Sequence, residues 1–569
     1  MIRSDRSIFK FPKLLLSVLV VSMVWSFSAF AQEAPLPPAA DSSRVQDRVE
    51  ERLKERSPQS KTEIKRDDNA VFVDVPEGAN EIETSFSEIR IVGADHYFSN
   101  ELAPLVDPYE GKKITLDRIW LIANEITKKY RQDGFFLARA FVPQQEIDEG
   151  GVVEIHVLQG FIEEIKFGTE KKPPQSLYRD ITKFSPVRIS DLENLLLRLN
   201  DLPGYNVTGV LEASKKTNGA AILNILPVDD VDEKLFVEVN NHGSRFIGPF
   251  QVLANYQDSF FDFQETSITF SNSLWFDKLS YIGVQHTVPV SEKIEVDAGF
   301  SYVDSEPGYT LERLELESNS FEVNVGGYYH HIRKRAENLS FGAHFHALNS
   351  SSNVLGVPLV RDDLRWLELE ANYDFADKYL GYNFLNAKLA KGLDFMDSSD
   401  FGDANISRRQ AEDDFTKLEL SYARQQVVNQ DWIAIYQLEG QLASGPLFSS
   451  QEFGYGGQKL GRAFDASEIV GDHGLASGIE FRYSGLELRN KFDLTPYLFY
   501  DIGVVWNDDT DQEFRESAAS AGFGLRFSHE TGAHGNFGIA WPLTRDVETP
   551  IFGQDQDNPR ILLQISKSF

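Results

Sequence analysis

The sequence predicts an α+β N-terminal portion followed by an all-β transmembrane barrel of about sixteen antiparallel strands. Three observations carry this. The chain ends on an amphipathic strand. A period of two runs almost unbroken from Lys234 onward. Connections between those strands alternate short and long. In the terminal strand Ile561, Leu563, Ile565 and Phe569 share one parity, while Arg560, Gln564, Ser566 and Ser568 share the other. A strand places these sets on opposite faces. No polar tail follows Phe569, as expected of a strand that closes a ring against lipid.

The N-terminus reads as an export signal over 1–31. Arg3, Arg6, Lys10 and Lys13 precede a short apolar core from Leu14 to Phe27, and Ala29-Phe30-Ala31 supplies small residues for cleavage before Gln32. No later segment has the ~18 consecutive apolar residues of a transmembrane helix. An exported chain of alternating strands without helical spans points to a bacterial outer membrane.

Residues 32–56 form an N-terminal segment with a possible helix. Val45, Val49 and Leu53 make a narrow apolar stripe among charges of both signs within Ser42 to Arg56. Such a helix would span ~22 Å, close to the ~25 Å apolar height of an outer-membrane barrel, and its narrow stripe suits a polar lumen as well as solvent. Residues 57–84 read as a polar linker able to reach ~90 Å when extended.

Residues 85–159 change character. Phe86 to Gly93 alternates as a strand. Thr115 is placed to cap a helix bearing Leu116, Ile119, Trp120, Ala123, Ile126 and Tyr130 on one face, and Asp133-Gly134 stops it. Phe135 to Val142 and Val152 to Leu158 follow as strands, giving the order β-α-α-β-β. Residues 160–229 repeat the order more weakly, with a helix at Ser190 to Leu199. Two tandem copies of about 70 residues result.

The barrel is expected over 230–569. Leu367, Leu369, Ala371, Tyr373 and Phe375 alternate with Glu368, Glu370, Asn372 and Asp374, and many segments behave likewise. Pro289 to Glu292, Arg333 to Ala336 and Asn429 to Asp431 are tight turns; Asp304 to Asn319, Asn349 to Asp362, Gly392 to Asp413 and Gly445 to Gly474 are long connections.

Composition excludes several functions. The chain has 569 residues and no cysteine, so thiolate nucleophiles and disulfides are impossible. With 87 acidic against 56 basic residues the formal charge is −31, which disfavours nucleic acid. Lys459 lies in a glycine-containing loop, but no Gly-Lys-Ser/Thr follows, so a phosphate loop is rejected. Asn507 to Glu513 spaces acids like the start of a calcium loop yet lacks its sixth-position glycine and twelfth-position glutamate. His344 and His346 share one strand face without a third ligand. No catalytic motif is present, so an enzyme is not expected, nor any metal or cofactor.

One inward charge stands out. Leu498, Tyr500, Ile502, Val504 and Trp506 form an apolar face, which turns Phe499, Asp501 and Gly503 toward the lumen. A mid-strand carboxylate there wants a cationic partner. Arg462, in the long loop Gly445 to Gly474, reaches it if that loop folds into the barrel; otherwise both are ordinary hydrated lumen charges.

These residues carry a family resemblance. The segment Gly461-Arg462-Ala463-Phe464-Asp465 resembles the Arg-Gly-Tyr/Phe loop motif of two-partner secretion transporters, the hemolysin-activator and filamentous-hemagglutinin-exporter type; Ala463 stands where glycine is usual. Phe499-x-Asp501-x-Gly503 resembles the family's strand motif, and Asn240 to Arg245 its first barrel strand. The resemblance implies a plug helix, a linker, two periplasmic POTRA domains and a sixteen-stranded outer-membrane barrel, with Arg462 meeting Asp501 in the pore. It implies export of a large, hemolysin- or adhesin-like partner protein. It further implies that Phe569 presents the chain to the barrel-assembly machinery, with membrane lipid around the barrel. The alternatives are a barrel-assembly insertase of the same superfamily, which usually carries more POTRA domains, and a passive porin, which needs none.

Overall fold

The computed structural model describes residues 36–54, 64–65, 73–97, 99–146, 148–228, 234–488, 492–508, 515–547 and 557–569. The expected export signal, most of the linker before residue 73, and the acid run from 509 onward lie outside the described residues.

Helix α1 spans Val45–Lys54, after short 3₁₀ turns at Pro38–Ala40 and Ser42–Arg44. It starts later than the expected Ser42 because Asp41 Oδ1 accepts from Ser43 N at 2.9 Å and fixes a tighter turn first, and the expected end at Arg56 lies outside the described residues. Val45 and Val49 are buried against Phe236, Leu253, Leu279, Tyr281 and Val303 of the barrel strands, with Leu53 half-buried beside them. The stripe therefore meets an apolar patch on the lumen wall. Ser42 Oγ lies 2.9 Å from Ser318 Oγ, and Arg52 Nη2 donates to Gln251 Oε1 at 2.8 Å.

The first α+β unit contains helices α2 (Ser99–Val106) and α3 (Asp117–Gln132). Its sheet pairs Glu88–Val92 and Arg139–Phe141 on either side of Val152–Leu158. Ile119, Ile122, Ala123, Ile126 and Tyr130 of α3 bury against Ile89, Val153 and Ile155, as their helical spacing requires. Thr115 does not cap α3. It sits in the strand Lys113–Thr115, paired with Glu83–Ser85, and Leu116 occupies the cap position without a side-chain bond.

In the second unit, Phe161–Phe167 and Val207–Ala213 flank Ala220–Pro227. Helix α4 (Ile189–Asn200) covers the sheet, burying Leu192, Leu195, Leu196 and Leu199 on Ile162, Leu223 and Ile225. Two 3₁₀ turns, Gln175–Leu177 and Arg179–Lys183, stand where the first unit has α2, which explains the weaker repeat. The strand Ile64–Lys65 adds in parallel to Val207–Ala213. This unit rests on the short-turn end of the barrel: Arg333 Nε and Nη2 donate to the two carboxylate oxygens of Asp201 at 2.7 and 2.6 Å.

Among the described residues sixteen antiparallel strands close a barrel, each paired with its sequence neighbour. His473–Tyr483 and Leu486–Leu488 count as one interrupted strand, since both pair with Phe492–Trp506. Closure is between Leu235–Asn240 and Arg560–Ser568. Outward Leu498 and Ile502 are 49% and 46% exposed, as lipid-facing residues of a barrel are. No described helix is long and apolar enough to cross a membrane.

One expected loop is absent. Asn349 to Asp362 is a ladder from Asn349↔Asp363 to Val354↔Val357, ending in the two-residue turn Leu355-Gly356. Both turn residues have positive φ, 51° and 75°, the geometry that matches strand twist. The polar run Ser350-Ser351-Ser352-Asn353 reads as loop composition, yet its backbone is fully laddered.

Candidate functional site

The connection between Ala443 and His473 enters the lumen. It carries a small hairpin, Phe453–Tyr455 with Ile469–Gly471, and a tip between them. The tip turns at Gly461 (φ 80°), where a Cβ would fall 2.9 Å from the Gly456 backbone and the Tyr455 ring. That turn presents Arg462 to the wall. Ala463 is buried and not among the positive-φ residues, so the position accepts an alanine side chain.

Arg462 and Asp501 form a forked pair. Nε donates to Oδ2 and Nη2 to Oδ1, each at 3.0 Å. The Gly461 and Arg462 backbone N–H groups also donate to Oδ2, at 3.2 and 3.3 Å, and Ser520 Oγ lies 3.4 Å away. Arg462 Nη1 donates to Glu480, and the guanidinium lies 3.6 Å from the centroid of the Phe499 ring. Arg462 is 7% exposed and Asp501 0%. Two carboxylates accept three hydrogen bonds from the guanidinium, which makes this a desolvated cation paired on every nitrogen, while Asp501 takes five donors in all.

The rest of the strand motif has a physical role here. Phe499 supplies the face under Arg462. Gly503 leaves room for Tyr455, whose ring would lie 2.3 Å from a Cβ. Phe464 is fully buried in the cluster with Tyr455 and Leu460. Asp465 accepts from Arg560 Nη1 at 2.7 Å.

Sequence reasoning missed Glu480, and it placed Arg560 on the polar face of the last strand without giving it a partner. Strand parity could have found Glu480 in the same way. Glu480 shares its face with Ala476 and Gly478, opposite exposed Leu475 and Ile479, and Arg560 lies opposite Ile561. Glu480 Oε1 also accepts from Arg482 Nε at 2.6 Å and Arg526 Nη2 at 3.2 Å.

Further contacts join the loop to α1 and to the 3₁₀ turn before it. Arg44 lies 3.4 Å from Glu452 and donates to the Ser449 carbonyl, and Lys459 lies 3.8 Å from Glu51. Arg408 reaches Glu452 at 3.2 Å and also pairs with Asp472. The Phe569 backbone N donates to Leu235 O at 2.8 Å, joining the last residue to the first barrel strand. His344 and His346 pair with Asp297 (3.1 Å) and Glu322 (2.9 Å). Among the described residues no group of three or more side chains is placed to hold a metal.

Comparison with known proteins places this geometry. Residues 85–160 match the family model of the ShlB-type POTRA domain. Residues 236–527, more than half of the chain, match the model of the haemolysin secretion/activation protein ShlB/FhaC/HecB. The heme/hemopexin transporter protein HuxB of Haemophilus influenzae is 24% identical over 534 residues, covering 86% of this chain and 88% of that protein. CdiB from Escherichia coli superposes with a TM-score of 0.71 at 17% identity, over 94% of this chain and 100% of that structure. CdiB from Acinetobacter baumannii gives 0.60 at 14% identity, over 92% and 97%. BamA from Haemophilus ducreyi, lacking POTRA domains 1–3, gives 0.50 at 12% identity, over 85% and 100%. The structural likenesses speak for the fold, and the family model covers the barrel with its inward loop as far as residue 527, short of the last two strands. The chain belongs to the haemolysin secretion/activation family ShlB/FhaC/HecB: it is a two-partner secretion transporter of the outer membrane, with its POTRA portion in the periplasm.

Proposed function

We propose that the chain exports one large, hemolysin- or adhesin-like exoprotein, with the units at 85–159 and 160–229 acting as two POTRA domains that receive it unfolded. Strand addition at a sheet edge or a groove beside the helices would serve for capture. Segment 32–56 is the plug, 57–84 its linker, and 230–569 the conduit. Arg462 and Asp501 hold the inward loop in its resting place. The forked pair inside the lumen is the observation that carries this reading, because a passive porin has no use for a desolvated clamp on a loop.

The periplasm holds no ATP and the chain has no nucleotide motif, so folding outside the cell supplies the bias for movement. No residue is assigned a catalytic role and no cofactor is required. Outer-membrane lipid surrounds the barrel, and the barrel-assembly machinery, reading the strand that ends at Phe569, inserts it.

Deleting the chain tests the proposal. The exoprotein should accumulate in the periplasm and vanish from the cell surface. Its arrival at the surface at wild-type level would overturn the reading.

A further inference from the structure

The seam that closes the barrel is the shortest part of its ladder. Leu235–Asn240 and Arg560–Ser568 pair only from Phe236↔Ser568 to Asn240↔Gln564. By contrast, Phe492–Trp506 pairs along its whole length with Arg515–His529. Beyond Asn240 the first strand turns away; Gly243 N donates to Pro249 O at 3.1 Å, in a turn where a Gly243 Cβ would sit 2.0 Å from Gly248 O.

Two side chains take the place of the missing ladder. Asn241 works like a strand residue. Its backbone N donates to Leu563 O at 3.0 Å, its Nδ2 donates to Ile561 O at 2.7 Å, and its Oδ1 accepts from Leu563 N at 2.7 Å. Arg560 does the rest. Its Nη2 donates to the carbonyls of Gly243 (3.1 Å) and His242 (3.4 Å), across the seam. Its Nη1 donates to Asp465 Oδ1 (2.7 Å) and Phe464 O (2.8 Å), in the inward loop.

We infer that Arg560 is a positioning residue that makes loop docking and closure of the upper seam a single equilibrium. One guanidinium joins three segments: the last strand, the turn after the first strand, and the loop tip. Arg560 is 6% exposed and Asp465 1%. Withdrawing the loop removes the carboxylate that balances this buried cation. The cation then moves toward water and leaves the His242 and Gly243 carbonyls unpaired. Among the described residues, Asn241 is then left to hold the seam above Asn240. Because coupling is reciprocal, loosening the seam must also loosen the loop.

This inference rests on the loop being the element released during export. It is read in the resting protein, however, so it can fail while export still depends on the loop. The test is backbone hydrogen exchange of the full chain in lipid, with thiol labelling of an Ala466→Cys reporter in the loop. Asp465→Asn should speed exchange at Asn241 and Leu563 by about tenfold, within the range of coupled sites. The ladder amides of Tyr500 to Val504 should not change. Asn241→Ala, at the seam, should raise labelling at position 466 by a similar factor, which a purely local role for Asn241 would not do. Should Asp465→Asn fail to insert, Arg560→Lys keeps the charge, loses the fork and provides the same readout. Wild-type exchange at the seam together with a released loop would overturn the coupling, as would unchanged loop labelling in Asn241→Ala.

Discussion

Replacing Arg462 with alanine leaves Asp501 and Glu480 facing one another's charge inside the barrel without the cation between them. Truncating one member of a buried ion pair costs about 3–5 kcal/mol. Asp501 keeps two backbone N–H donors and Ser520, and Glu480 keeps Arg482 and Arg526, so the lower end applies, about 3 kcal/mol. Loss of the cation over Phe499 adds about 1 kcal/mol. Together, about 4 kcal/mol shifts the balance between docked and released loop by nearly a thousandfold, at ~1.4 kcal/mol per tenfold. The natural chain has no cysteine, so a single Ala466→Cys reports loop exposure without background. In the Arg462→Ala background its labelling rate should rise steeply and export of the partner should fall. The folded, heat-modifiable barrel should remain in the membrane. Wild-type labelling together with wild-type export would refute the clamp.

Three further outcomes follow from other contacts. Gly503→Ala drives a methyl into Tyr455 and should release the loop with Arg462 and Asp501 intact, overpacking costing about 1–3 kcal/mol; the same labelling assay reads it. Val49→Asp places a carboxylate against Phe236 and Leu253. Channel conductance in planar bilayers should rise, and unchanged conductance would mean that α1 does not obstruct the lumen. In the first α+β unit, Tyr97 and Lys129 donate to Asp133 and hold its carboxyl below the usual 3.8. A depressed carboxylate stabilises above its unfolded pKa, and that contribution is lost as pH falls through the folded value. Asp133→Asn should therefore lower the thermal stability of this unit at pH 7, and the deficit should shrink below about pH 4, as followed by exchange of the α3 amides.

Period two made the barrel and the inward aim of Asp501 legible, because parity is a property of the strand itself. The partner of Asp501 was reachable through the motif around Arg462. Glu480 and Arg560 obeyed the same parity, but acids and arginines are common on lumen faces, so neither stood out before the loop was in place. The hairpin at Leu355-Gly356 was hidden for another reason: a positive-φ turn usually announces itself with Asn or Asp, and here leucine occupies the first position. Thr115 failed as a cap because the short strand Lys113–Thr115 claimed it, a tertiary pairing that local propensity does not contain.

That hairpin has a consequence for what leaves the pore. Val357–Ala376 has 20 residues, and at ~3.3 Å each it measures ~66 Å along the strand. Tilted by ~40°, it rises about twice the height of the ~25 Å apolar band. Its neighbours Leu316–Lys334 and Glu337–Val354 rise with it, while Leu235–Asn240 does not. The mouth is therefore a palisade on one flank and a low sill on the other. The palisade's inner surface carries Ser318, Ser320, Ser350 and Ser352 over a ladder whose backbone is already paired. Ser42 of the N-terminal segment now lies on Ser318; with that segment lifted, an emerging polypeptide would meet hydroxyls that can wet it on a wall with no open strand edge to grip it, and would slide along that wall toward the sill.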